Sequence, residues 1–365
     1  MKAKATLELN RAGQSLWLDN ITRELLSSGT LERYIDELSV TGLTSNPTIF
    51  DHAVKHGSAY DDDIRELAQK GLADEKLFFE LALEDLTRAA DLFRPAHERT
   101  SGVDGWVSLE VSPRLAYDTN STLAEARDLH GRAARPNLFI KIPGTQEGLP
   151  AIESSIFAGV PINVTLLFSP EQYVASANAW LRGIERRIEA GLDPNVTSVA
   201  SIFLSRWDVA VADKVPAAIK NKLGLAVGRR AYRAYCELLS SPRWLRALNA
   251  GARPQRLLFA STGTKDPAAP DVLYIEGLVA PLTINTIPEN TLKAFADHGK
   301  VGDAIRADGG DSEKVLAEFT QAGVDLAALA AKLQRDGADA FVKSWDSLMG
   351  VISSKASALK KAAAG

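Results

Sequence analysis

The sequence predicts a (β/α)8 TIM barrel with extra helices and a helical C-terminal tail. Three observations carry that prediction. Eight short apolar runs recur along the chain, most of them ending in a polar residue and most followed by a helical pattern, the mark of repeated βα units. No two runs are joined by a two-residue hairpin turn, so the order reads as parallel and not as an antiparallel meander. The 365 residues, 45% of them hydrophobic, can bury a sizeable core as one large barrel or two smaller domains. A barrel takes about 250 residues, which leaves roughly a hundred for additions. The chain is therefore read as a single barrel domain over residues 1–365, with a helical extension at about 299–360 packed on it.

The first run is Ser15 to Asn20, with a helix-like segment from Ile21 to Ser28 after it. The second, Val40 to Leu43, leads into Thr44 to Phe50, where Asn46 before Pro47 is biased away from helix. Two or three helices are expected between Ser58 and Phe93, with Asp61, Asp62 and Asp63 placed for a helix N-terminus. The third run, Trp106 to Val111, precedes a helix from Thr122 to Ala134. The fourth, Leu138 to Pro143, precedes one from Glu147 to Phe157. The fifth, Ile162 to Phe168, is capped by Ser169-Pro170 and followed by a helix from Pro170 to Ala190. The sixth, Val199 to Leu204, is followed by a helical stretch from Asp208 to Ser240 with breaks near Pro216 and Gly224. The seventh is Arg256 to Ser261, ending in Thr262 to Lys265. The eighth is Leu282 to Thr286, with a helix from Glu289. From about Gly299 onward Val315, Phe319, Leu326, Leu329, Leu333, Phe341 and Leu348 keep helical spacing, which predicts a tail folded back on the barrel. The last residues, Lys360 to Gly365, are expected to fray.

The fourth run is the informative one. Leu138-Phe139-Ile140-Lys141-Ile142-Pro143 is a continuous apolar run closed by a turn, the pattern of a strand buried on both faces, and it holds a lysine. An unpaired ammonium there costs several kcal/mol, and the usual relief is a lowered pKa and a nucleophilic amine. The alternative is a lysine at the strand end, its head in solvent or in a structural ion pair.

A barrel keeps its site at the carboxyl ends of its strands, so the strand-borne polar residues should gather in one place. They are Asp19, Asn46, Glu110, Lys141, Asn163, Thr165, Ser201 and Ser261, with Arg206 and Lys265 just beyond strand ends. Asn163 and Thr165, two apart, share one face of their strand. Each alone has a structural reading: a helix cap for Asp19, an Asx turn for Asn46, a small interior residue for Ser201. Together they supply an amine, two carboxylates, short hydrogen-bonding groups and two cations. That set suits imine chemistry on a phosphorylated polyol, with a lysine attacking a ketone and the iminium drawing electrons from the adjacent carbon-carbon bond. An arginine and a lysine would clamp the phosphate.

At these residues the chain resembles the transaldolase family. The runs Trp17 to Asn20, Thr44 to Phe50, Val107 to Ser112, Ile140 to Thr145 and Ile162 to Phe168 look like that family's signature strands, in its order, over most of the barrel. The resemblance implies transfer of a dihydroxyacetone unit from sedoheptulose 7-phosphate or fructose 6-phosphate to glyceraldehyde 3-phosphate or erythrose 4-phosphate. It implies that Lys141 is the Schiff-base nucleophile and Asp19 the acid/base for bond cleavage and formation. Glu110 would act with a water held by Thr165, and Asn46, Asn163 and Ser201 would orient the dihydroxyacetone hydroxyls. Arg206 follows Ser201 at the family spacing. The arginine common after the seventh-strand serine is missing from Ser261-Thr262-Gly263-Thr264-Lys265, where Lys265 would replace it without the bidentate fork. The tail resembles the longer bacterial branch, in which fusion to a phosphoglucose isomerase domain occurs; nothing here is long enough for that second domain.

The partners that the resemblance implies are sugar phosphates, and composition argues against two other classes. A net charge of -4 and a pI near 5.9 argue against a nucleic-acid or membrane-surface binder. The single Cys236 suits a reducing cytoplasm, Met1 to Arg11 lacks a signal-peptide core, and no run reaches membrane-spanning length. No cofactor or metal is expected, and the chain is taken as a monomer or homodimer. His52 and His56, four apart, read as solvated or capping residues because no third ligand lies nearby. Arg182, Arg186 and Arg187 alternate with Glu185 and Glu189 as a charged helix face, and Gly263 lies in no dinucleotide fingerprint. Two rival functions remain: a simple aldolase releasing free dihydroxyacetone, and a non-catalytic sugar-phosphate-binding barrel. Related simple aldolases tend to offer a tyrosine hydroxyl where this chain has Phe203, which favours transfer over hydrolysis.

Overall fold

The computed structural model describes residues 3–362, and within them eight parallel strands close into a barrel in sequence order, β1 to β8. The strands are β1 (Gln14–Asp19), β2 (Val40–Thr44), β3 (Trp106–Glu110), β4 (Leu138–Pro143), β5 (Ile162–Leu167), β6 (Ser198–Phe203), β7 (Arg256–Ala260) and β8 (Thr283–Ile287). Each lies within a residue or two of its expected apolar run. The register sets Glu110 beside Lys141 and Lys141 beside Asn163, so three polar residues from adjacent strands stand at one level inside the barrel. The opposite end is plugged. Arg256 donates to Ser15 Oγ and to Thr283 O, both at 2.7 Å; Trp17 Nε1 donates to Asp104, and Trp106 stacks on Phe139. With one end filled, the polar groups of the other are what a ligand can reach.

The helices begin with α1 (Lys4–Arg11), α2 (Arg23–Ser27), α3 (Thr30–Glu37), α4 (Pro47–His56), α5 (Asp61–Gln69) and α6 (Asp74–Arg99). Neither α1 nor α3 was expected: both are short, and their burial is confined to a few positions such as Leu9 and Leu31. Asn46 is extended and its side chain accepts from Ile49 N–H, so it caps α4 with Pro47 in the first turn. The three aspartates open α5. Helix α6 runs through Pro95, past the expected stop at Phe93, because burial of Ala96 and packing of His97 against Trp106 outweigh one lost backbone donor.

Next come α7 (Thr119–Ala133), α8 (Gly148–Phe157), α9 (Pro170–Glu189), α10 (Ser205–Val211), α11 (Leu223–Leu239), α12 (Pro242–Asn249), α13 (Leu273–Gly277) and α14 (Glu289–His298). Ser169 and Gln172 form a capping box on α9. The break expected near Gly224 falls just before it. Asp208 accepts from the N–H groups of Leu223 and Gly224, and a Cβ on Gly224 would come within 2.7 Å of that carboxylate. The tail corrects one expectation: residues 299–311 are not helical, and helix resumes at α15 (Ser312–Gln321) and α16 (Leu326–Ala362). Gly299, Gly302, Gly309 and Gly310 explain the interruption. Of the expected fraying segment, residues 363–365 lie outside the described residues. Helix α16 lies against α4, α5 and α6, with Trp345 edge-on to Phe78 at 4.8 Å, and crosses the open end of the barrel.

Candidate active site

A cavity of about 520 Å³ opens at the carboxyl ends of the strands. It is lined by Asp19, Asn46, Lys141, Thr165, Ser201, Phe203, Arg206, Ser261 and Lys265, nine of the eleven side chains the sequence marked. The other two, Glu110 and Asn163, are buried behind its wall.

Lys141 is 4% exposed, so the strand that carries it is buried as its apolar flanks require. It is also paired: Nζ donates to Glu110 Oε2 at 3.3 Å and to Ser45 O at 3.1 Å. The burial expected of the one reading and the ion pair expected of the other are both present, in a lysine that still faces a cavity. Burial pushes the Glu110 carboxyl up, against the pull of Lys141, so Glu110 holds a proton more readily than a surface glutamate. Its second oxygen, Oε1, and the hydroxyl of Thr165 have no partner among the described protein groups, although both are buried. Buried polar atoms of this kind call for a ligand or a water.

Asp19 ends β1 and is also pushed up by burial, opposed in turn by Lys141, by a hydrogen bond from Thr44 at 3.0 Å and by Lys265. Thr44 in turn meets Thr286 at 2.8 Å, so the hydroxyl that holds the carboxylate is itself held by a second one, and the sequence reading singled out neither. Asn163 is held at both ends of its amide: its nitrogen donates to Ser108 Oγ and its oxygen accepts from Ser201 Oγ at 2.7 Å. Asn46 combines the cap of α4 with a place beside Asp19, where its side chain works against the upward push of burial on that carboxyl.

The cations stand at the rim. The Arg206 guanidinium lies over the rings of Phe203 and Phe341, 5.2 and 5.8 Å from their centroids, and burial makes its charged form less favourable. Ser261 has φ of +53° and its hydroxyl meets Ser205 at 2.9 Å. Lys265 is exposed and borders both this cavity and a neighbouring one of about 440 Å³. Two further lining residues were not anticipated. Phe341 had been read only as a packing residue of the tail, and His52, read as solvated, is indeed exposed but sits on the cavity rim. His56 Nδ1 lies 3.0 Å from His52 O. Among the described residues no group of three or more His, Cys, Asp or Glu side chains could hold a metal, and no helix is long and apolar enough to cross a membrane.

The arrangement offers a buried amine beside a carboxyl of raised proton affinity, a second carboxyl facing the same space, and a cationic rim. Comparison with known proteins agrees. The family model described as transaldolase/fructose-6-phosphate aldolase matches residues 16–352. A transaldolase of Thermobifida fusca (strain YX) is 47% identical over 94% of this chain and 95% of its own length. One of Parafrankia sp. (strain EAN1pec) is 45% identical over 96% and 97%. "Transaldolase 2" of Nostoc punctiforme is 40% identical over 97% and 98%.

Proposed function

The chain belongs to the transaldolase/fructose-6-phosphate aldolase family, and we propose that it transfers a dihydroxyacetone unit between sugar phosphates through a Schiff base on Lys141. One observation carries this reading: Lys141, 3.3 Å from Glu110, opens onto the same cavity as Asp19. The donor is sedoheptulose 7-phosphate or fructose 6-phosphate, and the acceptor glyceraldehyde 3-phosphate or erythrose 4-phosphate.

Glu110, with its raised proton affinity, takes a proton from Lys141 and frees the amine to attack the donor ketone. The carbinolamine loses water with Glu110 as acid, the leaving oxygen held between Glu110 and the unpartnered Thr165 hydroxyl. Asp19 removes the proton of the hydroxyl next to the breaking carbon-carbon bond, the electron pair passes into the iminium, and the aldose phosphate departs. The acceptor aldehyde then takes up the enamine carbon while Asp19 returns the proton, and hydrolysis by the reverse of the first steps frees Lys141. Asn46 and Ser201 orient the dihydroxyacetone hydroxyls, with Asn163 holding Ser201. Arg206, Lys265 and Ser261 receive the phosphate, the arginine already pinned over two aromatic rings.

A simple aldolase is the second reading, since it shares the imine. The apolar Phe203 on the cavity wall favours transfer, because it brings no hydroxyl to activate water against the enamine-bearing lysine. The acidic balance and single cysteine suit a cytoplasmic place in carbohydrate metabolism. Borohydride reduction with fructose 6-phosphate tests the imine. A donor fragment on Lys141 by mass spectrometry is expected, and its absence would sink both imine readings. Adding erythrose 4-phosphate and measuring transferred product against free dihydroxyacetone separates transferase from aldolase.

A further inference from the structure

Helix α16 places one polar side chain on the strands that carry the site. Gln334 Nε2 donates to Gly144 O at 3.1 Å and to Leu166 O at 3.0 Å. Both acceptors are carbonyls, so the amide must present its nitrogen to them and its two N–H groups are used together. The first carbonyl follows β4, the strand of Lys141; the second lies on β5 directly after Thr165. The bridged backbone is irregular. Leu166 has φ of +58°, a left-handed conformation that a branched residue rarely holds, and the β5 to β6 register shifts between Val164 and Leu167. Gly144 N also donates to Thr165 O at 2.7 Å, so the ends of β4 and β5 are stitched on both sides of Thr165. Three residues along α16, Gly337 lets the helix sit this close: a Cβ there would stand 3.1 Å from both Leu166 Cδ2 and Arg206 Nη1.

We propose that Gln334 is a positioning residue that, by clamping Gly144 and Leu166, holds the irregular end of β5 so that the Thr165 hydroxyl faces the Lys141 amine. This rests on the Schiff-base reading of the site. Gln334 touches neither the cavity nor the reacting atoms and acts through the strand ends alone.

The test uses the whole chain with Gln334→Met, which keeps length without donors, and Gln334→Glu, which keeps shape and replaces the donor by an acceptor. With fructose 6-phosphate and erythrose 4-phosphate, KM should stay within about twofold of the parent. Both kcat and the rate of borohydride trapping at Lys141 should fall by about tenfold to a hundredfold, the range a misplacement of the order of 1 Å produces. The decisive arm adds Thr165→Ala. If Gln334 works through Thr165, the double variant should be no slower than Thr165→Ala alone, whereas multiplicative losses would overturn the proposal. Trapping as fast as in the parent, or a lowered melting temperature with unchanged kcat per folded molecule, would also overturn it. Should the methionine variant fail to fold, the glutamate variant carries the same comparison. Parent protein that traps no donor fragment refutes the Schiff-base reading itself, and is told apart from a normal parent with unaffected variants.

Discussion

Lys141 Nζ and Glu110 Oε2 lie 3.3 Å apart, with both side chains 95% or more out of solvent, on adjacent strands at the same level of the barrel. Removing one member of such a pair leaves an uncompensated buried charge, while removing both does not. Glu110→Leu is therefore expected to lower stability by about 3 kcal/mol, and the Glu110→Leu/Lys141→Met double variant to recover most of that. Urea unfolding midpoints measure it. A single variant as stable as the parent would mean that Ser45 O alone suffices to hold the ammonium.

Asp19 carries a raised proton affinity because burial outweighs its cationic neighbours. The stability contributed by its protonation is full below the ordinary carboxylate value and is lost as pH rises through the folded one. Above that, the native state holds a buried carboxylate. Asp19→Asn keeps an acceptor for Thr44 and should melt higher than the parent at pH 7, the gain shrinking as pH falls toward about 4. Transfer should drop at least about a hundredfold while borohydride still traps the donor on Lys141. Normal turnover in this variant would remove Asp19 from the proton transfers.

For the phosphate, Arg206→Leu is expected to raise KM for fructose 6-phosphate by about tenfold to a hundredfold, the worth of one charge-assisted hydrogen bond. Lys265→Ala should have a smaller effect, since that lysine is exposed and lacks the planar fork. Unphosphorylated fructose is the control. An equal loss with fructose would show that these residues shape the cavity and do not read the phosphate.

Glu125 on α7 is pushed up to about 7 by burial and by Glu75 and Asp128, although it accepts from Ser112 N–H at 2.5 Å. Its folded state prefers the proton, so stability falls as pH rises from about 4.3 to about 7 and then levels off. Glu125→Gln should match the parent near pH 4 and melt higher at pH 8. A pH-independent difference would point to packing instead.

The strand pattern was readable because a parallel barrel buries both faces of every strand, and Lys141 stood out against that apolar background. Asn46 before Pro47 was legible as a non-helical residue by backbone sterics, and the structure has it extended, capping the helix that begins at Pro47. What sequence could not supply was assembly across distance. Phe341 keeps the same helical spacing as Leu333 and Leu348, and nothing local says that its ring meets Arg206 and not the core. His52 was dismissed for want of a third ligand, yet its place on the rim follows from where α4 leaves the barrel. The missed α1 and α3 are eight residues each, with three and two buried positions, and the glycines of residues 299–311 interrupt the tail ahead of the helical spacing that begins at Val315.

Helix α16 follows all eight strands in the chain, and this gives the molecule an order of birth. The barrel seam joins Gln14 to Thr283, so the sheet can close only once β8 has been made, and Gln334, Phe341 and Trp345 are synthesised later still. A growing chain can thus own a finished barrel before it owns a finished cavity. Long-range contacts of this kind form late and slowly, and domains begin folding while synthesis continues. Sealing of Trp345 against Phe78 and Phe79 should accordingly lag strand pairing during folding, and competence for transfer should arrive with that last step.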